Sequence, residues 1–242
     1  MSGHNPELWK RNEPILQTDF LVREKIPTWL GDVSGKRILD AGCGEGYVAR
    51  KLKNLGAIVE GFDNDPEMIK LAKKAEEGIR VPIRYKIGEL AQVDSLYPVG
   101  YFDIAVISGV VCFLDEQQLF DCISKIYGVI KPEGVLLIAT NHTDSYFKRA
   151  KSHWLEYLTE PDPRLDTQKL ILNFNHPNEE RLFTGECYIH TQRRIKEAMQ
   201  KAGFKVTGEY APLATRQEMK KHSHMWGNED KIPYHLIVMG KK

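Results

Sequence analysis

Three glycines and an aspartate form the first candidate site in this sequence. Gly42, Gly44 and Gly46 alternate with other residues in the stretch RILDAGCGEGYVARKL, and Asp40 comes two positions before the first glycine. An apolar run precedes the glycines and a helical pattern follows them. The missing Cβ atoms would allow a tight turn and let a ligand approach the backbone N–H groups. The pattern predicts a site for a nucleotide-like ligand.

The spacing of the glycines separates two candidate ligands. Dinucleotide-binding turns space their glycines as GxGxxG, whereas this chain has GxGxG. An anionic Asp40 would repel a pyrophosphate, but it would suit the cationic amine of S-adenosylmethionine. For the glycines taken alone, an ordinary strand-to-helix turn without a ligand is the competing interpretation.

Two motifs together resemble those of class I S-adenosylmethionine-dependent methyltransferases. ILDAGCGEG resembles the first motif of that family, and VEGFDND resembles the second. The resemblance implies that Asp63 accepts hydrogen bonds from both ribose hydroxyls and that Asn64 lies along the adenosine. It also implies S-adenosyl-L-methionine as the cofactor, with Asp40, Gly42, Cys43 and Gly44 beside it. Cys43 is interpreted as a packing residue of this loop and not as a nucleophile.

Two further segments extend the resemblance. KIGEL resembles the segment that covers the adenine, which implies that Glu89 meets its exocyclic amine and that Leu90 packs on the ring. FDIAVISGVVCFL resembles the fourth motif, whose residues line the methionine arm and the methyl group, here Ser108, Gly109 and Val110. These residues complete the predicted cofactor site.

The elements that must position these residues follow a β–α alternation. Short β-branched runs alternate with amphipathic segments from residue 37 onward, and seven strands emerge in total. Pro132 and Gly134 predict a break between the helix EQQLFDCISKIYGVI and the strand GVLLIAT. With the resemblance, the expected fold is α/β, a Rossmann-like doubly wound seven-stranded sheet that is mostly parallel, with the last strand antiparallel.

Three units of the chain are expected. Residues 37–140 and 191–242 would form the S-adenosylmethionine-binding methyltransferase domain, preceded by a helical arm over 1–36. An insert over 141–190 is too long for an ordinary loop, so we expect a structured substrate lid. Within it, DSYFKRAKSHWLEYL predicts a helix, and QKLILNFNHPNEERLFTGECYI predicts a hairpin around His176, Pro177 and Asn178.

Composition limits the partners. Of the 242 residues, 34 are Lys or Arg and 33 are Asp or Glu, so the net charge of +1 predicts no nucleic-acid or membrane partner. The four cysteines form no CxxC pair, and no leader or apolar run long enough to span a bilayer stands out, which predicts a cytoplasmic protein. The oligomeric state is open, with a homodimer through the lid hairpin as one option.

Candidate residues for catalysis come from the histidines. His142 follows the fifth strand, where α/β sheets present ligand-contacting loops, and is the first candidate for a general base. His190 ends the proposed hairpin and is the second candidate. A surface-loop histidine and a half-buried strand histidine are the competing interpretations. No metal is expected, although His222 and His224 form a His-x-His pair with His235 nearby.

The substrate is expected to be a small-molecule methyl acceptor, methylated at oxygen or nitrogen. Trp9 in the arm and Tyr146 and Tyr188 in the insert are the predicted substrate residues. Methylation of RNA, DNA or protein is a second hypothesis, a non-catalytic cofactor-binding partner subunit is a third, and dinucleotide oxidoreduction is a fourth. Neutral charge and the absence of an NPPY-like motif weaken the second hypothesis.

Overall fold

The main sheet has seven strands. A computed structural model describes residues 9–10, 13–148, 155–175, 181–221 and 231–242. The strands of this sheet are β1 (Arg37–Ala41), β2 (Ile58–Asp63), β3 (Arg84–Ile87), β4 (Phe102–Ser108), β5 (Ile130–Asn141), β9 (Lys205–Tyr210) and β10 (His235–Lys241). Their order is β3-β2-β1-β4-β5-β10-β9, and β10 pairs antiparallel with both neighbours while β1 to β5 pair in parallel. The predicted fold class is confirmed.

Helices cover both faces of this sheet. They are α1 (Ile26–Leu30), α2 (Tyr47–Asn54), α3 (Pro66–Lys74), α4 (Val93–Leu96), α5 (Glu116–Val129), α6 (Thr143–Lys148), α7 (Gln192–Ala202) and α8 (Arg216–Lys221). One buried cluster joins α5 and α7 to the sheet through residues such as Ile123 and Met199, and another joins α2 and α3 to it through Leu52 and Ile69. Strands covered on both faces have near-continuous apolar sequences, as in β4. Among the described residues, no helix has the length and apolar composition needed to cross a membrane.

The start of β5 differs from the prediction. Pro132 and Gly134 lie inside the strand, which begins at Ile130 and follows α5 directly. The pairing with β4 jumps from Phe102↔Ile130 to Ile104↔Val135, so the intervening residues form a bulge. Glu133 has φ +66°, which is the left-handed region. Pro132 and Gly134 therefore lie in a bulge near the start of β5, and they do not separate the strand from α5.

The inserted region forms a second, three-stranded sheet. Its strands β6 (Leu155–Tyr157), β7 (Thr167–Asn175) and β8 (Arg181–His190) are antiparallel in the order β6-β7-β8. The predicted hairpin strands are present, while the predicted turn at 176–178 lies outside the described residues. The predicted helix over 144–158 is wrong at its end, because residues 155–157 pair with β7 as a strand, while the described part of helix α6 is Thr143–Lys148.

The segment before β1 packs on the main sheet. Asp19–Arg23 forms one turn of π-helix, and α1 follows it. Leu21, Val22 and Ile26 are buried in the cluster that also contains α2. This packing holds the segment across the carboxyl ends of the parallel strands, where the candidate site lies.

Candidate active site

A cavity of about 1100 Å³ lies where the parallel strands of the main sheet end. Its volume lies slightly above the range of about 300–1,000 Å³ that is usual for small-molecule sites. Its wall includes Asp40 from β1, Asp63 from β2, Ser108 from β4 and Asn141 from β5. All eleven predicted cofactor residues line it: Asp40, Gly42, Cys43, Gly44, Asp63, Asn64, Glu89, Leu90, Ser108, Gly109 and Val110. The roles assigned to them stay predictions.

The glycine turn after β1 needs its glycines. Gly42, Gly44 and Gly46 have φ of +75°, +55° and +83°, a region that other L residues rarely adopt. The N–H groups of Gly42 and Cys43 both donate to the Phe62 carbonyl at 2.9 Å, which ties the turn to β2. A Cβ on Gly42 would lie 2.5 Å from Cγ2 of Val110. Sequence spacing alone predicted the tight turn but not this contact with the segment after β4.

The Asp63 carboxylate is fixed by two backbone groups. Its Oδ2 accepts a hydrogen bond from Gly44 N–H at 2.8 Å, and its Oδ1 accepts one from Asp65 N–H at 3.0 Å. Burial raises the pKa of Asp63, while these two hydrogen bonds act in the opposite direction. Because a carboxylate offers about four acceptor sites, capacity is left for two more donors from the cavity. Such a carboxylate suits a cis-diol.

Asp40 is a buried acid with an unused oxygen. It is 2% exposed, and its Oδ2 has no hydrogen-bond partner within the described part of the chain. Desolvation raises the pKa of Asp40 to about 7, although the positive charge of Arg23 opposes this effect. An unsatisfied buried carboxyl group is costly, so this residue is prepared for a cationic or hydrogen-bond-donating ligand group.

Arg23 is a cavity residue that sequence reasoning missed. It lines the cavity from the π-helical turn, and its Nη1 donates to Oδ1 of Asp19 at 2.7 Å. Asp19 is fully buried, and its Oδ2 also accepts N–H groups of Ile15 and Leu16. Asp19 therefore holds both the turn and the guanidinium in place. In the sequence, the only indication was an Asp four residues before an Arg. The burial of that Asp, which gives the pair its role, could not be read from the sequence.

His235 is a second cavity residue whose position the sequence left open. It is the first residue of β10, and because β10 runs antiparallel to β5, its start lies beside Asn141 at the edge where β5 ends. It is 4% exposed, and desolvation lowers the pKa of its imidazole to about 3, with the Arg23 charge contributing. The ring is therefore neutral. The sequence showed His235 only as a neighbour of the His222 and His224 pair, both of which lie outside the described residues.

The two predicted catalytic histidines do not line the cavity. His142 accepts the Asp144 N–H at Nδ1, and its Nε2 lies 2.9 Å from the side-chain amide of Gln192. His190 has Nε2 at 2.9 Å from the Leu114 carbonyl oxygen and Nδ1 at 3.1 Å from Oγ1 of Thr167. Burial lowers the pKa of both rings. In this structure both imidazoles connect elements of the fold.

The predicted substrate residues divide in the same way. Trp9 and Tyr188 line the cavity, the second of them from β8 of the inserted sheet. Tyr146 is 2% exposed and lies outside the cavity wall, with its hydroxyl accepting a 2.7 Å hydrogen bond from Asn141 Nδ2. Its position therefore contradicts direct contact with a ligand in this cavity. Within the described residues, no group of three or more His, Cys, Asp or Glu side chains could hold a metal ion.

The segment that builds this site matches a known domain. Residues 39–138 match a family model described as a methyltransferase domain. The predicted resemblance to class I S-adenosylmethionine-dependent methyltransferases is confirmed over this segment. The chain is 38% identical over 112 residues to the mitochondrial ubiquinone biosynthesis O-methyltransferase of Mus musculus, a match that covers 45% of this chain and 29% of that protein. It is 31% identical over 111 residues to the ubiquinone biosynthesis O-methyltransferase of Rhodopseudomonas palustris (strain HaA2), covering 46% and 42%. The matches to this methyltransferase domain thus span less than half of each relative.

Solved structures share the methyltransferase fold over more of the chain. An S-adenosylmethionine-dependent methyltransferase from Mesorhizobium loti superposes with a TM-score of 0.69 at 19% identity, covering 90% of this chain and 96% of that one. Magnesium protoporphyrin IX methyltransferase from Synechocystis PCC 6803, solved with bound S-adenosylmethionine, has a TM-score of 0.59 at 17% identity, covering 98% and 90%. At these identities the likeness shows the fold, including segments outside residues 39–138.

Proposed function

We propose that the chain transfers a methyl group from S-adenosylmethionine to an oxygen or nitrogen of a small-molecule acceptor. The fixed Asp63 carboxylate carries this proposal, because two backbone N–H groups orient it and leave it able to accept from a ribose diol. The relatives named ubiquinone biosynthesis O-methyltransferases support a small acceptor. The cofactor supplies an activated methyl group when bound, so the protein mainly binds, orients and excludes water.

Three charged side chains fit the polar groups of the cofactor. Asp63 would accept from the ribose hydroxyls, and the unused oxygen of Asp40 would face the amine. Arg23, held by Asp19, would pair with the carboxylate of the methionine arm. The cost of leaving Asp40 Oδ2 unpartnered is removed once a donor binds, which is how a buried polar atom contributes to affinity.

The acceptor would bind beside aromatic residues from outside the glycine turn. Trp9 from the segment before β1, Tyr188 from β8 and Tyr234 just before β10 line the same cavity. We propose that the three-stranded sheet over 141–190 serves as a substrate lid, because Glu186 and Tyr188 bring its β8 strand to the cavity wall. Residues 37–140 and 191–242 would then form the cofactor-binding domain and residues 1–36 the arm. A lid that excludes water strengthens electrostatic interactions around the reacting atoms.

A labelling experiment tests the function. Purified protein is incubated with methyl-labelled S-adenosylmethionine and a cell extract, and the products are separated by size and by nuclease and protease sensitivity. Label in the small, resistant fraction is the expected result. Label in RNA or protein would transfer the proposal to a macromolecular acceptor. Cofactor binding without any label transfer would favour a non-catalytic partner subunit, and tight NADH binding without S-adenosylhomocysteine binding would favour an oxidoreductase.

A further inference from the structure

We propose that His235 is the catalytic base that removes a proton from the methyl acceptor. This inference rests on the proposed methyl transfer and concerns a step within it. It applies to an acceptor whose attacking atom carries both a lone pair and a proton that must leave, such as a hydroxyl group. The evidence is the position of the imidazole, its unused nitrogen and the charges that surround it.

The position of His235 follows from the strand order. Insertion of β10 between β5 and β9 brings its first residue to the edge where Asp63 and Ser108 end their strands. His235 lines the cavity together with these residues. Since active sites of open α/β sheets lie at this edge, the imidazole is in the region where the reacting atoms must meet.

The Nε2 atom of His235 is buried and has no hydrogen-bond partner within the residues described. A buried polar atom without a partner is costly, and a bound ligand that donates a hydrogen bond would remove that cost. With the proton on Nδ1, Nε2 presents a lone pair, which is what a base requires.

Burial and the neighbouring charges keep the His235 ring neutral. Desolvation lowers the pKa of the imidazole most, Arg23 and His142 act in the same direction, and Asp19 acts in the opposite direction. Asp19 is ion-paired with Arg23, so the effects of these two charges on the imidazole partly cancel. A neutral ring has a lone pair with which to accept a proton. Its pKa of about 3 makes it a weak base, so it takes the proton only once bond formation has made the acceptor hydroxyl strongly acidic.

The other two candidate histidines lack a free nitrogen. Both ring nitrogens of His142 and both of His190 contact groups of the protein, and neither residue lines the cavity. Either ring would have to break a fold-stabilising hydrogen bond before it could accept a proton. His235 needs no such rearrangement.

The proton and electron balance is simple. The acceptor oxygen forms a bond to the methyl carbon with its own electron pair, and the carbon–sulfur bond breaks with its electrons going to sulfur. The hydroxyl proton, made strongly acidic by the positive charge that the oxygen gains, moves to Nε2 of His235. The imidazolium, whose pKa is low, then releases this proton to solvent. No oxidant, reductant or other reactant is needed.

The test compares His235→Asn with His142→Asn and wild type in the labelling assay, using the small-molecule fraction of the extract as acceptor. S-adenosylhomocysteine affinity is measured for each protein by calorimetry, and the midpoint temperatures of thermal unfolding are compared. We expect His235→Asn to lower the transfer rate by about 10²–10⁴-fold, the usual range for a base, with cofactor affinity within about twofold of wild type. His235→Gly should recover part of the rate with added imidazole, which a purely structural role would not produce.

Each result decides a different question. If wild type transfers label and His235→Asn does so at the same rate, or if imidazole rescues nothing in a folded His235→Gly protein, the inference is overturned and the proposed function stands. If wild type transfers no label to any fraction, the proposed function itself is overturned and this inference with it. Loss in His142→Asn together with an unimpaired His235→Asn would assign the base to His142.

Discussion

Gly44 N–H donates a 2.8 Å hydrogen bond to Oδ2 of Asp63, which joins the glycine turn after β1 to the end of β2. The bond links the two sequence motifs that resemble a cofactor site, 19 residues apart in the chain. It orients the carboxylate before any ligand is bound. A group that is already oriented loses less conformational freedom on binding, so more of its interaction energy contributes to affinity.

Replacement of Asp63 should therefore weaken cofactor binding. We expect Asp63→Ala to lose about 2 kcal/mol or more in S-adenosylhomocysteine binding, measured by calorimetry, because two charge-assisted hydrogen bonds to the ribose are removed. Asp63→Asn keeps the size of the side chain but has one acceptor atom, so its loss should be intermediate. Glu77→Ala, on an exposed residue, serves as the control. An unchanged isotherm for Asp63→Ala would contradict the ribose assignment.

Cofactor affinity should depend on pH through Asp40. Desolvation raises the pKa of this carboxyl to about 7 in the unliganded protein, and a bound cation would favour its ionised form. Below pH 7 binding must expel a proton, so affinity should fall by up to about tenfold per pH unit, and it should level off above pH 7. The folded pKa is raised above the unfolded value, so ionisation of Asp40 costs the unliganded protein stability as pH rises towards 7.

The Asp40→Asn variant checks this pH dependence. The amide cannot ionise, so its affinity should be lower at pH 8 and nearly flat between pH 6 and 8 when titrated with S-adenosylhomocysteine. A wild-type profile that is equally flat would show that Asp40 does not face the amine.

Gly42 should tolerate no side chain. Gly42→Ala places a methyl group 2.5 Å from Cγ2 of Val110 at a φ of +75°, so we expect both backbone strain and a steric clash. Gly35→Ala is the matched control, since its φ is +69° but nothing lies within 4 Å of the new Cβ. Gly35→Ala should cost about 1–2 kcal/mol of unfolding free energy for its left-handed backbone, measured by urea unfolding. Gly42→Ala should cost clearly more, and equal losses would show that the turn relaxes without strain.

Replacement of His142 should lower the stability of the fold more than the rate of methyl transfer. His142→Ala leaves the Asp144 N–H and the Gln192 amide without their partner, so we expect it to lower the unfolding free energy by about 1–3 kcal/mol. Cofactor affinity should stay near the wild-type value. A wild-type unfolding curve combined with lost label transfer would restore the sequence-based prediction that His142 is the base.

The sequence predicted the sheet well because local patterns determine it. The β1 run RILDA, the glycines behind it and the alternation through β4 need only short-range periodicity and turn chemistry to be recognised. The error at β5 has a physical cause as well. A proline and a glycine can end a strand or form a bulge in it, and only the pairing partner decides between the two, here β4 with its shifted register at Phe102.

The parts of the site that the sequence missed depend on long-range contacts. Arg23 reaches the cavity because Asp19 is buried and because the π-helical turn packs on the sheet, and neither fact is encoded in spacing. His235 reaches it because β10 is inserted beside β5, far away in the chain. His142 lies at the expected strand end, but its imidazole does not line the cavity. Its two ring nitrogens contact Asp144 N–H and the side-chain amide of Gln192 instead.

The insertion of β10 between β5 and β9 has a consequence for the order of assembly. During synthesis the strands β1 to β5 emerge first, and until β10 arrives the edge of β5 presents unpaired backbone groups. The glycine turn, Asp40 and Asp63 can all be in place at that stage, while the cavity wall still lacks His235. On a ribosome-bound chain, cofactor binding would therefore precede the docking of β10, whereas methyl transfer would require it, and the nascent β5 edge is where a chaperone would be needed.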